Sequence, residues 1–228
     1  MDLRTLVEET YKKIDLLAEK IFNKYIAPAY KTCENEKKIG KKQKFRIVSK
    51  NIKKDIATEY PVIKFADKVE LRVLFTQDEY ANPFAQADNY DIYITIPIRF
   101  TKKEKFGTFK YYTITELVHE LTHAIDYTRS QFQHRRPKMK LFEKPSKERY
   151  RYQTDPLEIN ATVHEFNVYR KKYPEKWNRI RTAKGLFGVL YELDVGGWRD
   201  MDKTQREQFL KKMVKRLYRE NMLPKAMQ

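Results

Sequence analysis

Along this chain, apolar positions switch between two periods. Residues 3 to 27 carry Leu6, Ile14, Leu17, Ile21 and Ile26 at helical spacing, which predicts one long amphipathic helix that Pro28 ends. A second, shorter helix is predicted from Ser49 to Glu59, stopped by Pro61. The period then becomes two. Val69 to Thr76, VELRVLFT, reads as a strand, and residues 77 to 89, with Asn82-Pro83, read as a loop. Tyr90 to Phe100, YDIYITIPIRF, is the clearest strand, with Ile92, Ile94, Ile96 and Ile98 on one face. Pro97 cannot donate a ladder hydrogen bond and predicts an edge position for it.

Helical spacing returns at Thr113 to Tyr127, TITELVHELTHAIDY, where Thr113 and Glu116 have the spacing of a capping box. Another helix is expected from Pro156 to about Tyr169, with Asp155 as its N-cap. Two more follow beyond Pro174, at Glu175 to Leu193 and Asp202 to Asn221, separated by Gly196-Gly197. Trp177, Leu186, Phe187, Leu190, Trp198, Phe209, Leu210, Met213, Val214 and Leu217 are expected to pack these helices. The sum predicts an α+β fold, predominantly helical, with a small sheet that ends in an edge strand before the helix at 113. No repeat or sharp composition shift divides the chain. The expectation is one domain over 1–228, with a helical flank at 1–60, a core at 69–170 and a second helical flank at 174–228.

Chemistry concentrates in the helix at 113. His119-Glu120-Leu121-Thr122-His123 is a His-Glu-x-x-His sequence, and i, i+4 imidazoles on a helix point the same way, as a shared ion requires. At about 100° per residue, Leu117, Val118, Leu121, Ala124 and Ile125 gather on one side. His119, His123 and Asp126 gather opposite, with Glu120 beside the pair. With four histidines in 228 residues, this pattern arises by chance about 0.006 times. The bland alternative is a solvated polar face bearing two ordinary histidines.

A catalytic zinc site takes three protein ligands and an open position. Asp126, His134, Glu158 and His164 are the candidates for the third. Asp126 has a short side chain that suits orienting a histidine better than ligating. His134 lies in a basic, proline-flanked stretch. Glu158 falls in the first turn of the second helix, where it could equally serve as a capping-box carboxylate.

His-Glu-x-x-His followed by Glu158-Ile159-Asn160-Ala161 resembles the gluzincin type of zincin metallopeptidase, and is distantly similar to the ImmA/IrrE peptidases of mobile elements and phage. The resemblance covers about a third of the chain, from the strand near Tyr90 to about Tyr169. It implies a zincin-like core, one Zn2+ held by His119, His123 and Glu158, Glu120 as general base, and Ala161 as a small residue where two helices approach. It also implies hydrolysis of a peptide bond in a protein or peptide substrate, with extended substrate pairing along the strand before the metal helix. An oxyanion formed on that path needs a further donor, for which Tyr150, Tyr152 and His164 are candidates.

Composition adds partners. Lys and Arg number 48 against 31 acidic residues, a net charge of +17, which favours nucleic acid or an acidic protein. Part of that charge lies in Arg129 to Tyr152, where Arg135, Arg136, Lys138 and Lys140 are expected to overhang the cleft and select an acidic or nucleic-acid-bound substrate. Lys37, Lys38, Lys41, Lys42, Lys44 and Arg46 form a second basic run around Gly40. An alternative is therefore a basic nucleic-acid-binding or phage interaction protein on a zincin-like scaffold. One cysteine, Cys33, excludes a disulfide framework. No apolar run approaches the roughly 18 residues of a membrane span, and the first residues, MDLRTLVEETYKK, lack the apolar core of a signal peptide, so a cytoplasmic location is expected.

Overall fold

A computed structural model describes residues 3–38, 45–76, 81, 83–99, 105–130, 150–193 and 198–228. The chain divides into two compact units, Lys12–Arg135 and Met1–Tyr11 with Arg136–Gln228. The fold is mixed α and β, predominantly helical, with one small four-stranded sheet. Among the described residues no helix is long and apolar enough to cross a membrane.

The first helix, α1 (Leu3–Ile21), does not stop at Pro28. It runs through a π turn at Phe22–Ile26 into α2 (Ala27–Lys38). A proline ring inside a helix collides with the carbonyl four residues back and offers no donor. The wide turn relieves both problems, with Ala27 N–H bonded back to Phe22 O. Lys37 and Lys38 belong to α2, whereas Lys41, Lys42 and Lys44 lie outside the described residues.

The sheet order is β1-β2-β4-β3. Strand β1 (Phe45–Asn51) replaces the beginning of the helix expected at Ser49. Ser49 is not a cap but sits in the ladder opposite Arg72 of β2 (Lys68–Thr76). The turn into the short helix α3 (Lys53–Ala57) belongs to Asn51, whose Oδ1 accepts the Lys53 N–H at 3.0 Å. Strand β3 (Phe84–Asp88) forms inside the stretch expected to be loop. It pairs antiparallel with β4 (Asp91–Arg99) through a two-residue turn in which Asn89 takes φ 52°.

Strand β4 is therefore not an edge strand. It pairs parallel with β2 on one side and antiparallel with β3 on the other. Proline is tolerated because β3 reaches only to Thr95, so Pro97 lies beyond the last β3 pair. The apolar face is as expected, with Val69, Leu71, Val73, Phe75, Ile92, Ile94, Ile96 and Ile98 all buried, but Glu70, Thr76, Thr95 and Pro97 of the opposite face are buried as well. Helix α4 (Phe106–Arg129) contacts β3, β4 and the 3-10 turn at Pro61–Phe65, and buries Leu117, Val118, Leu121, Ala124 and Ile125.

Helix α4 begins two turns before the capping box expected at Thr113. Lys105 stands at its N-cap without a side-chain cap, and Thr113 is buried inside the helix. Aromatic packing extends it. Phe109 stacks on Tyr30 at 4.2 Å and meets Phe22 at 5.9 Å, and Phe106 lies 5.7 Å from Tyr30.

The later helices are α5 (Pro156–Lys172), α6 (Pro174–Asn178), α7 (Gly185–Glu192) and α8 (Lys203–Arg219). The helix expected over Glu175 to Leu193 is thus two pieces. Gly185 opens the second, where a Cβ would stand 2.8 Å from Ile180 Cγ2, so the chain can fold back there only without a side chain. Gly196-Gly197 and the side chain of Trp198 lie outside the described residues. Trp177, Leu186, Leu190, Phe209, Leu210, Met213 and Leu217 are buried, while Phe187 and Val214 are half-buried. A full capping box of Asp202 and Gln205 starts α8. Asn221 at φ 54° ends it, and Met222 N–H closes on Leu217 O at 2.8 Å.

Candidate metal centre

Helix α4 delivers two imidazoles to one point. His119 Nε2 and His123 Nε2 face each other at 3.0 Å, with the rings 4.7 Å apart and inclined by 70°. Two ring lone pairs that close repel unless a proton or a cation lies between them. His123 is completely buried, stacked 6.2 Å from the Tyr127 ring, and His119 is half-buried. The bland picture of a solvated polar face therefore does not hold. Glu120, between the two histidines in sequence, is 3% exposed. A carboxylate at such a position is costly in a core that apolar residues could fill.

Buried threonine hydroxyls of the same helix are satisfied by its own backbone. Thr122 Oγ1 donates to Val118 O at 2.7 Å, and Thr128 Oγ1 to Ile125 O at 2.8 Å.

Glu158 of α5 is the third member of the candidate group. One ligand atom each from His119, His123 and Glu158 lies within 4.8 Å of the others, a group able to hold a metal ion. Glu158 is 2% exposed. Its cap reading is weakened by local bonding. Asp155 Oδ1 accepts the Leu157 N–H at 2.9 Å, but the Asp155 N–H, which a capping-box glutamate would take, goes to Tyr152 O at 3.1 Å. Ala161 is fully buried one turn later.

Among the described residues, Asp126 and His164 are not in the group of three donors. The Asp126 carboxylate lies 3.8 Å from the Arg129 guanidinium. His164 is buried on α5, but six residues past Glu158 it lies about 240° around the helix and is not one of the three clustered donors. The Tyr150 hydroxyl donates to Gln208 Oε1 at 2.6 Å, and Tyr152 is half-buried. His134, Arg135, Arg136, Lys138 and Lys140 lie outside the described residues.

Sequence reasoning missed Gln208, Lys212 and Arg216 of α8, which bond to the stretch carrying Glu158. Their i, i+4, i+8 spacing beside the apolar positions 209, 213 and 217 was the available signal.

No family model, curated protein or solved structure matches this chain.

Proposed function

We propose that the protein is a zinc-dependent peptidase, and the observation that carries this reading is the grouping of His119, His123 and Glu158, the last two buried and the first half-buried. The donor set suits zinc. Two imidazole nitrogens and one carboxylate oxygen are ligands it takes at about 2.0–2.2 Å, which places neighbouring donors about 3.3 Å apart in a tetrahedron. The 3.0 Å between the two histidine nitrogens is close to that spacing. When bound, the ion supplies Lewis acidity and a water acidic enough to ionise near neutral pH.

The chain supplies the rest. Glu120 sits one residue from His119 and three from His123, so it neighbours the donors without joining them. Its role is to accept a proton from the attacking water and return it to the leaving amine. Burial at 3% exposure keeps bulk water from competing for that carboxylate. The activity is the gluzincin-like chemistry that the two motifs resemble, on a peptide bond; β4 is paired on both sides over residues 91–95, so it does not offer there the free edge expected to bind an extended substrate.

The test is hydrolysis of a quenched fluorescent protein substrate by zinc-loaded protein. Wild type should cleave, lose activity with a chelator and regain it with zinc. Glu120→Gln should retain zinc and cleave at least about 100-fold more slowly. Equal cleavage by Glu120→Gln and wild type would defeat the proposed mechanism.

A second reading, binding of a nucleic acid, is favoured by one feature of α8. Lys211, Lys215, Tyr218 and Arg219 are exposed within one face of that helix, and Tyr218 is 73% exposed. Cations spaced for phosphates beside an exposed ring suit a single strand. Replacing Lys211, Lys215 and Arg219 by Gln should reduce the salt slope of single-stranded DNA binding by about 2. An unchanged slope removes α8 from that role.

A further inference from the structure

Helix α8 carries Gln208, Lys212 and Arg216 in a single file, since each i, i+4 step drifts only about 40° around a helix. The file borders the buried face formed by Phe209, Met213 and Leu217. All three of its members reach the short stretch that delivers Glu158. Gln208 Oε1 accepts the Tyr150 hydroxyl at 2.6 Å. Lys212 Nζ lies 3.4 Å from Thr154 O and 5.8 Å from the centre of the Tyr150 ring. Arg216 Nη2 donates to Asn160 Oδ1 at 2.8 Å, and the same guanidinium group is braced by Glu220 at 2.9 Å.

These contacts bracket Glu158. Tyr150 and Thr154 precede it, and Asn160 follows it by two residues. Between them the backbone is already stiff. Thr154 N–H and hydroxyl both bond to Tyr150 O, at 2.9 and 2.7 Å, and Pro156 fixes the first turn of α5. A carboxylate that is held in place before the ion arrives gives up less freedom on binding and holds the ion more tightly.

We propose that Gln208, Lys212 and Arg216 are positioning residues for Glu158, with Arg216 the principal one. The role presupposes the metal-binding reading above. Residues hydrogen-bonded directly to a metal ligand typically change affinity about 10- to 100-fold when removed, and Arg216, which acts on Glu158 through Asn160, belongs at the lower end of that range. Arg216→Met, which keeps the apolar stem, is therefore expected to weaken zinc binding about 10-fold, and Arg216→Lys to recover part of the loss.

The experiment is zinc affinity by competition with a chelating dye, for wild type, Arg216→Met, Glu158→Ala and the double variant, alongside thermal unfolding of each metal-free protein. In the Glu158→Ala background the Arg216→Met change should alter residual affinity less than about twofold. A merely structural role lowers the unfolding temperature in both backgrounds but does not make the affinity loss depend on Glu158. Wild-type affinity in Arg216→Met, or an equal loss in both backgrounds, overturns the proposal. If Arg216→Met does not fold, Asn160→Leu removes the other partner of the same bond and carries the same comparison. A wild type that binds no zinc sinks the metal reading and the positioning role together, whereas a wild type that binds it leaves the two separable.

Discussion

At the scale of the residue, His119, Glu120 and His123 were legible because their geometry needs only a helix. Once 113 to 127 is helical, two imidazoles four apart must face one way. Glu158 was legible as a candidate but not as a choice, because a glutamate in the first turn after Asp155 and Pro156 also suits a cap. The competing cap weakens only when the Asp155 N–H is seen bonded to Tyr152 O. The surroundings of Glu70 were legible only in part. Period two within β2 puts Lys68 and Arg72, the latter at 2.7 Å, on the same face as its carboxylate, but the bond from Ser49 depends on the register of β1 against β2. The Lys68 ammonium first, and then Arg72, hold its pKa at about 2, below its ordinary 4.5. A depressed carboxyl contributes stability above its unfolded value and loses it as pH falls through the folded one. Glu70→Gln should therefore cost about 1 kcal/mol at pH 7, a difference that persists down to about pH 4.5 and fades toward pH 2. Denaturant midpoints of both proteins across that window check it, and a gap that does not change with pH would refute the assignment.

At the scale of the element, β2 and β4 matched their expected spans, since the apolar residues at every second position are written in the sequence itself. What failed were decisions made by tertiary partners. Pro28 normally ends a helix, yet the π turn before it absorbs the ring and the missing donor. Strands β1 and β3 owe their conformation to pairing with β2 and β4. The start of α4 moved upstream because Phe106 and Phe109 found Tyr30 and Phe22, a contact across more than 70 positions of sequence. The Gly185 break belongs to the same class. Gly185→Ala should destabilise the protein by about 1–2 kcal/mol, because its Cβ would meet Ile180 Cγ2 at 2.8 Å. Ile180→Ala in the same chain should make the second substitution nearly neutral. Thermal unfolding of the two singles and the double decides this, and additive losses would mean that Ile180 is not the obstacle.

At the scale of the whole molecule, sequence could give the charge of +17 but not which cations share a surface. The clearest exposed set, on α8, stood within a helix whose apolar side alone drew attention. Sequence could also name three donors far apart in the chain without establishing that they converge. Their grouping within 4.8 Å makes ligand-linked stability a direct consequence of the proposed function. Free zinc at 100 times its Kd should raise unfolding free energy by about 2.7 kcal/mol, and a chelator should reverse it. The central claim reduces to elemental analysis after zinc loading and exhaustive dialysis, for wild type and Glu158→Ala in parallel. About one zinc per wild-type chain, and a large loss from Glu158→Ala, is the outcome expected of a three-ligand site. No zinc in wild type, or the same content in both proteins, would contradict it.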